Sequence, residues 1–149
     1  MGFRASETIG RPKGEVWDAA TDWDRAPRWM KGIDRMRLLK EEPVGEGTTL
    51  GFRARGRERE TTIVGWVPGR RLALQSRQGG VTADYVYEFE DCPGGTRVTL
   101  DAECRGEGIG WRLLTPLIGF LMARADGGQL RELKRMIEGD EGAGSSPAA

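Results

Sequence analysis

Residues 109–138 are the only stretch of this 149-residue chain long enough for a major helix, about 45 Å if helical throughout. What precedes them reads as short strands, so the apolar stripe of that helix has only a sheet to bury itself against. The run is uneven. Its second half carries the narrow stripe Leu130, Leu133, Met136 and Ile137 with Arg131, Glu132, Lys134 and Arg135 between, the pattern of an amphipathic helix lying on a sheet. Its first half, from Trp111 to Met122, is apolar nearly all round and offers more apolar surface than one sheet face uses. Gly127 and Gly128 stand where the halves meet, and each costs about 1 kcal/mol relative to Ala in a helix interior. Such a cost marks either close packing or a kink. Without a kink, projecting the stripe back at about 100° per residue puts Thr115, Gly119, Ala123 and Asp126 toward the sheet. Small and polar residues there would leave room for a ligand. Leu113, Leu117, Ile118, Phe120 and Leu121 would then point to the rim or outside, as a gate or a homodimer contact over 113–122.

Ahead of the helix, alternation and turn residues divide the chain. Phe3, Ala5, Glu7 and Ile9 share one face of a strand over 3–9, so Glu7 is either at a frayed edge or a polar handle inside a pocket. Arg11-Pro12 punctuates, and a helix over 12–21 and a short one over 22–31 follow. Trp17, Trp23 and Trp29 read first as core anchors, with Trp29 also kept as a ligand contact. Six strands come next, over 33–40, 48–55, 58–67, 72–77, 82–90 and 96–105, joined by Gly/Pro turns at hairpin spacing. The expected fold is α+β: a curved seven-stranded antiparallel sheet around one long C-terminal helix, with two short helices after the first strand. A sheet wrapped on a cylinder about 10 Å wide does not close along its whole length, so a cavity between sheet and helix is expected. One domain over 1–138 should end at the glycine stop Gly139, with 139–149 a disordered tail.

Composition narrows the chemistry. Lys plus Arg and Asp plus Glu are both 23, so no net charge steers the chain toward nucleic acid. In the arginine-rich run 53–60, glutamates interleave with the arginines across a hairpin, which reads as paired charges on a solvated face. No apolar window of membrane-spanning length and no signal-peptide core is seen. The expected setting is the bacterial cytoplasm, without stable membrane insertion, and Cys92 and Cys104 are free thiols there. Histidine is absent, which removes the commonest general base and most zinc sites. No metal or cofactor is expected. Any catalysis would fall to Asp, Glu, Tyr, Arg or water.

Several stretches together resemble a known family. They are residues 9–17 followed by Asp22-Trp23, then Pro27-Arg28-Trp29, Pro43 to Thr48, Pro68-Gly69-Arg70-Arg71-Leu72, Gly95 to Thr99, and 130–138. In order and spacing they look like the polyketide cyclase/dehydrase branch of the START-like (SRPBCC) superfamily, which includes the birch pollen allergens. The resemblance covers about 3–138 and implies the helix-grip fold. Its members include lipid and hydrophobic-ligand carriers, aromatase/cyclases, quinone-binding proteins and chaperone activators, and fold does not choose among them.

With the strand faces as read, the inward residues form an apolar chamber with two phenols. The candidate ligand contacts are Glu7, Trp29, Met36, Leu38, Phe52, Tyr85, Tyr87, Phe89, Leu100, Ala102, Leu114, Ile118 and Met122. The expected function is binding of a hydrophobic small molecule such as a lipid, a quinone or a polyketide-like chain. One alternative is a polyketide aromatase/cyclase or dehydratase in which Tyr85 or Tyr87 and Glu7 handle protons. The other is a protein-interaction module using the 113–122 surface. Related cyclases often use a histidine or a buried arginine. This chain has no histidine and no arginine read as inward, so no catalytic residue carries over.

Overall fold

The period-2 segments pair as one antiparallel sheet in the computed structural model, which describes residues 2–40 and 43–145, with the side chains of 125 and 140–145 outside the description. Its strands are β1 (Gly2–Ile9), β2 (Ile33–Leu38), β3 (Thr49–Ala54), β4 (Arg57–Val67), β5 (Arg71–Gln78), β6 (Val81–Cys92) and β7 (Gly95–Gly106). The spatial order is β1-β7-β6-β5-β4-β3-β2, a meander from β2 onward with β1 added beside β7. Helix α1 (Lys13–Ala20), a 3-10 turn (Trp23–Arg25) and the short helix α2 (Ala26–Trp29) carry the chain from one edge of the sheet to the other. Register shifts between Ile33 and Arg35 and between Ile63 and Gly65 interrupt the ladders, and such irregularities bend and twist a sheet. The result is the helix-grip fold that the element order implies.

The concave face holds the core. Ile9, Leu50, Ile63, Leu72, Val98 and Leu100 are fully buried from five strands, and Leu130 and Leu133 meet them from the C-terminal helix. Trp17 stands edge-on to Trp66 at 5.0 Å and to Phe89 at 5.2 Å. Trp23 and Trp29 are buried as well, so the tryptophans serve as core anchors.

The C-terminal run is broken at the glycines into α3 (Ile109–Asp126) and α4 (Gln129–Ser145). A Cβ on Gly127 would lie 2.4 Å from the carbonyl oxygen of Ala123, so the joint closes too tightly for a side chain. The break nevertheless leaves the projected face in place. Gly119 is buried and Thr115, Ala123 and Asp126 are half-buried, while Leu113, Leu117, Phe120 and Leu121 are each more than half exposed. At its start α3 lies against the β5–β6 hairpin, where a Cβ on Gly80 would come 2.4 Å from the Trp111 ring. In α4 the stripe Leu130, Leu133, Met136 and Ile137 is buried as its spacing requires. Gly139 does not stop this helix, which continues to Ser145; the remainder of the expected tail, 146–149, lies outside the described residues. Among the described residues no helix is long and apolar enough to cross a membrane.

Polar contacts fasten α4 to the end of β1. Lys134 Nζ donates to the Thr8 carbonyl at 2.6 Å and pairs with Glu138 at 2.9 Å, and the Gly10 N–H donates to the Glu138 carboxylate at 3.0 Å. The Gly10 N–H, followed by the Lys134 hydrogen bond, holds the Glu138 carboxyl below its ordinary range. A group depressed on folding stabilises the fold above its unfolded value and loses that contribution as pH falls through its folded one. Glu138→Gln should therefore cost up to about 1 kcal/mol at neutral pH, a figure kept small because solvent screens the site. The deficit should vanish once pH falls below the glutamate range. Urea midpoints of both proteins across acid pH measure this, and a deficit unchanged at low pH would refute the linkage.

Candidate functional site

Between the curved sheet and α3 lies a cavity of about 490 Å³. Alternation on β2 to β7 supplies most of its wall, with Met36, Phe52, Thr61, Leu74, Ala83 and Tyr85 among the inward residues. Trp111, Ile118, Met122 and Asp126 of α3 face them, and Gln129 begins α4 at one side. The volume falls in the range that holds a small organic molecule. Most of the lining is apolar, as such a molecule needs.

One polar chain crosses the wall at the α3–α4 joint. The Tyr85 hydroxyl donates to Asp126 Oδ2, and the Tyr87 hydroxyl donates to Gln129 Oε1 at 2.6 Å. Gln129 Nε2 reaches Asp126 Oδ1 at 3.4 Å, which links the two pairs. Burial, and then the charge of Asp126, pushes both phenols far above the ordinary tyrosine range, so both stay protonated and act as donors. Burial also raises the Asp126 carboxyl, although the hydrogen bonds from Tyr85 and Gln129 and the charge of Arg55 pull it back. Both hydroxyl protons are thus committed within the wall. Their joint effect is to tie β6 to the end of α3 and the start of α4. Tyr87→Phe leaves the buried Gln129 oxygen without this donor, so a loss of about 1–3 kcal/mol is expected. Urea denaturation measures it, and a neutral substitution would mean that Gln129 finds another partner.

The expected ligand contacts fall into two groups. Met36, Phe52, Tyr85, Tyr87, Ile118 and Met122 come together on the cavity wall. The other seven stand elsewhere. Phe89, Leu100 and Ala102 share the inward face but are buried in the core rather than on the cavity wall: Phe89 packs on Trp17, and Leu100 and Ala102 stand opposite Tyr87 and Tyr85 on the next strand. Trp29 is buried behind the wall, edge-on to Tyr87 with ring centres 5.8 Å apart. Leu38 packs half-buried against the core, and Leu114 is half-exposed on the outer side of α3. Glu7 is half-buried on β1 opposite Val98, at the far edge of the sheet from β2 and β3.

The wall also has polar contributors outside the expected contacts, among them Lys31, Arg55, Arg59 and Gln129. Asp126, which helical projection turns toward the sheet, is the carboxylate among them. Arg59 corrects the reading of 53–60 as wholly solvated. It stands opposite Phe52 in the ladder and is half-buried, and both side chains line the cavity. Elsewhere in that run Glu58 does pair at the surface, 3.8 Å from Arg35 and 4.0 Å from Arg53. Among the described residues no group of three or more His, Cys, Asp or Glu side chains gathers as a metal site. Cys104 reaches the wall as a buried thiol that donates to the Thr115 carbonyl at 3.8 Å.

Residues 2–138 match the model of a family described as polyketide cyclase / dehydrase and lipid transport. No curated protein matches the chain in sequence. Among solved structures, TTHA0849 of Thermus thermophilus superposes with a TM-score of 0.68 at 22% identity, over 92% of this chain and 97% of that one. Protein NE0264 of Nitrosomonas europaea gives 0.69 at 16% identity, over 93% and 94%. The di-domain ARO/CYC StfQ from the steffimycin biosynthetic pathway gives 0.71 at 15% identity, over 94% of this chain and 51% of that one. Likeness at these identities concerns the fold.

Proposed function

We propose that this chain, which belongs to the polyketide cyclase / dehydrase and lipid transport family, takes up one hydrophobic small molecule between its sheet and α3. The observation that carries this is the cavity itself. Its 490 Å³ are bordered by Met36, Phe52, Leu74, Ile118 and Met122, in a domain whose remaining inward residues are closely buried. Apolar surface of that extent left facing water is costly, and an apolar ligand that covers it offsets the cost.

A polyketide cyclase or dehydratase acting in the same cavity is the second reading. Asp126 favours it, because a carboxyl whose proton affinity is raised by burial is suited to proton transfer. Native mass spectrometry of the freshly purified protein, followed by solvent extraction, tests uptake. A bound apolar mass at one per chain is the expected result. An empty protein that also fails to bind a neutral apolar dye would defeat the proposal. A ligand recovered unchanged after long incubation speaks for carriage, and a cyclised or dehydrated product for the second reading.

A further inference from the structure

The cavity wall is not electrically balanced. Lys31, Arg55 and Arg59 border it, and Asp126 is its one carboxylate among the described residues. Asp126 already accepts hydrogen bonds from Tyr85 and Gln129. None of the three cations forms an ion pair among the described residues, although Arg55 acts on Asp126 through space.

The arrangement follows from strand geometry. Arg59 alternates with Glu58 and Glu60, so it faces the concave side with Thr61 while both glutamates are exposed on the other. Glu58 is engaged there by Arg35 and Arg53. An inward guanidinium is thereby separated from the carboxylates nearest in sequence. Drawing such a group toward apolar surroundings without a counter-ion is unfavourable, and a bound anion removes the penalty.

Arg55 adds an independent sign. It occupies the first position of the two-residue β3–β4 turn with φ 52°, followed by Gly56 with φ 76°. Turns of this kind favour Asn, Asp or Gly there, because a longer L side chain is strained in the left-handed region. A strained arginine whose side chain borders the cavity points to a role for that side chain.

We infer that the cavity takes an amphiphile with a single carboxylate head. Its apolar body lies against Met36, Phe52, Leu74 and Ile118, and its head meets Arg59, with Arg55 and Lys31 beside it. The planar guanidinium fork matches a carboxylate in geometry as well as charge. The inference rests on the proposed uptake of a hydrophobic molecule and adds the head group that selects it.

Calorimetric titration of the full chain with straight-chain fatty acids, and with the alcohols and amines of the same chains below micelle-forming concentrations, tests it. The acid should bind about tenfold or more tightly than the alcohol, and the amine more weakly than either. Arg59→Gln should abolish the preference, lowering the acid's affinity far more than the alcohol's. Arg55→Gly should reduce the preference without lowering the thermal midpoint, because glycine suits the turn. Equal affinity for acid and alcohol, or a preference that survives both variants, overturns the carboxylate assignment and leaves hydrophobic uptake standing. Failure of acids and alcohols alike to bind overturns both.

Discussion

Replacing Leu133 by Ala lowers the free energy of unfolding by about 2–5 kcal/mol. Leu133 is 0% exposed at the centre of the α4 stripe, among the side chains that join this helix to the sheet. Removing most of a fully buried side chain forfeits its transfer free energy and leaves a void that close-packed neighbours only partly fill. The same deletion at Leu113, 77% exposed on α3, should change stability by no more than about 0.5 kcal/mol. Urea denaturation of both variants makes the comparison. Similar losses at the two positions would mean that α4 is not docked as described.

The second large effect separates the cavity wall from the filled part of the concave face. Ala83 and Ala102 lie on neighbouring strands, with Ala83 opposite Cys104 and Ala102 opposite Tyr85, yet Ala83 borders the cavity and Ala102 is 1% exposed in the core. Ala102→Phe has no space to enter and should destabilise by about 1–3 kcal/mol. Ala83→Phe places its ring in the cavity, so stability should stay within about 1 kcal/mol while dye or ligand uptake falls about tenfold or more. The paired readout is a thermal midpoint and a binding titration. Reversed outcomes would mean that the free volume lies against Ala102 rather than Ala83.

Those two alanines also show where sequence reasoning stops. Alternation assigns a residue to the concave or convex face, and it did so correctly along β6 and β7. It does not say which residues of that face border free space and which are covered by neighbouring side chains, for Ala102 and Leu100 stand directly opposite Tyr85 and Tyr87 in the ladder. Phe89, Leu100 and Ala102 therefore looked equivalent to Tyr85 and Tyr87, although only the tyrosines border the cavity. Helical projection fared better. The small and polar line Thr115, Gly119, Ala123 and Asp126 is the sheltered side of α3 even though the glycines break the run.

Arg59 was legible in principle. A two-residue turn at Arg55-Gly56 sets Arg59 opposite the inward Phe52, and that register outweighs the impression of a solvated charge cluster. Leu114 misled for a related reason. The upstream half of the helix is apolar on every side, so composition there does not reveal which face is turned in. The bond between Tyr87 and Gln129 joins residues 42 apart. No local pattern signals such a pair before the fold is in hand.

The central claim is that an apolar molecule enters between sheet and α3 rather than adhering to the exposed outer surface of that helix. Backbone amide shift mapping by NMR during titration with a neutral long-chain alcohol tests this most directly. The account predicts that the largest changes fall on the amides of Phe52, Thr61, Leu74 and Ala83. Changes confined to Leu113, Leu117 and Leu121, with the strand amides unmoved, would contradict it.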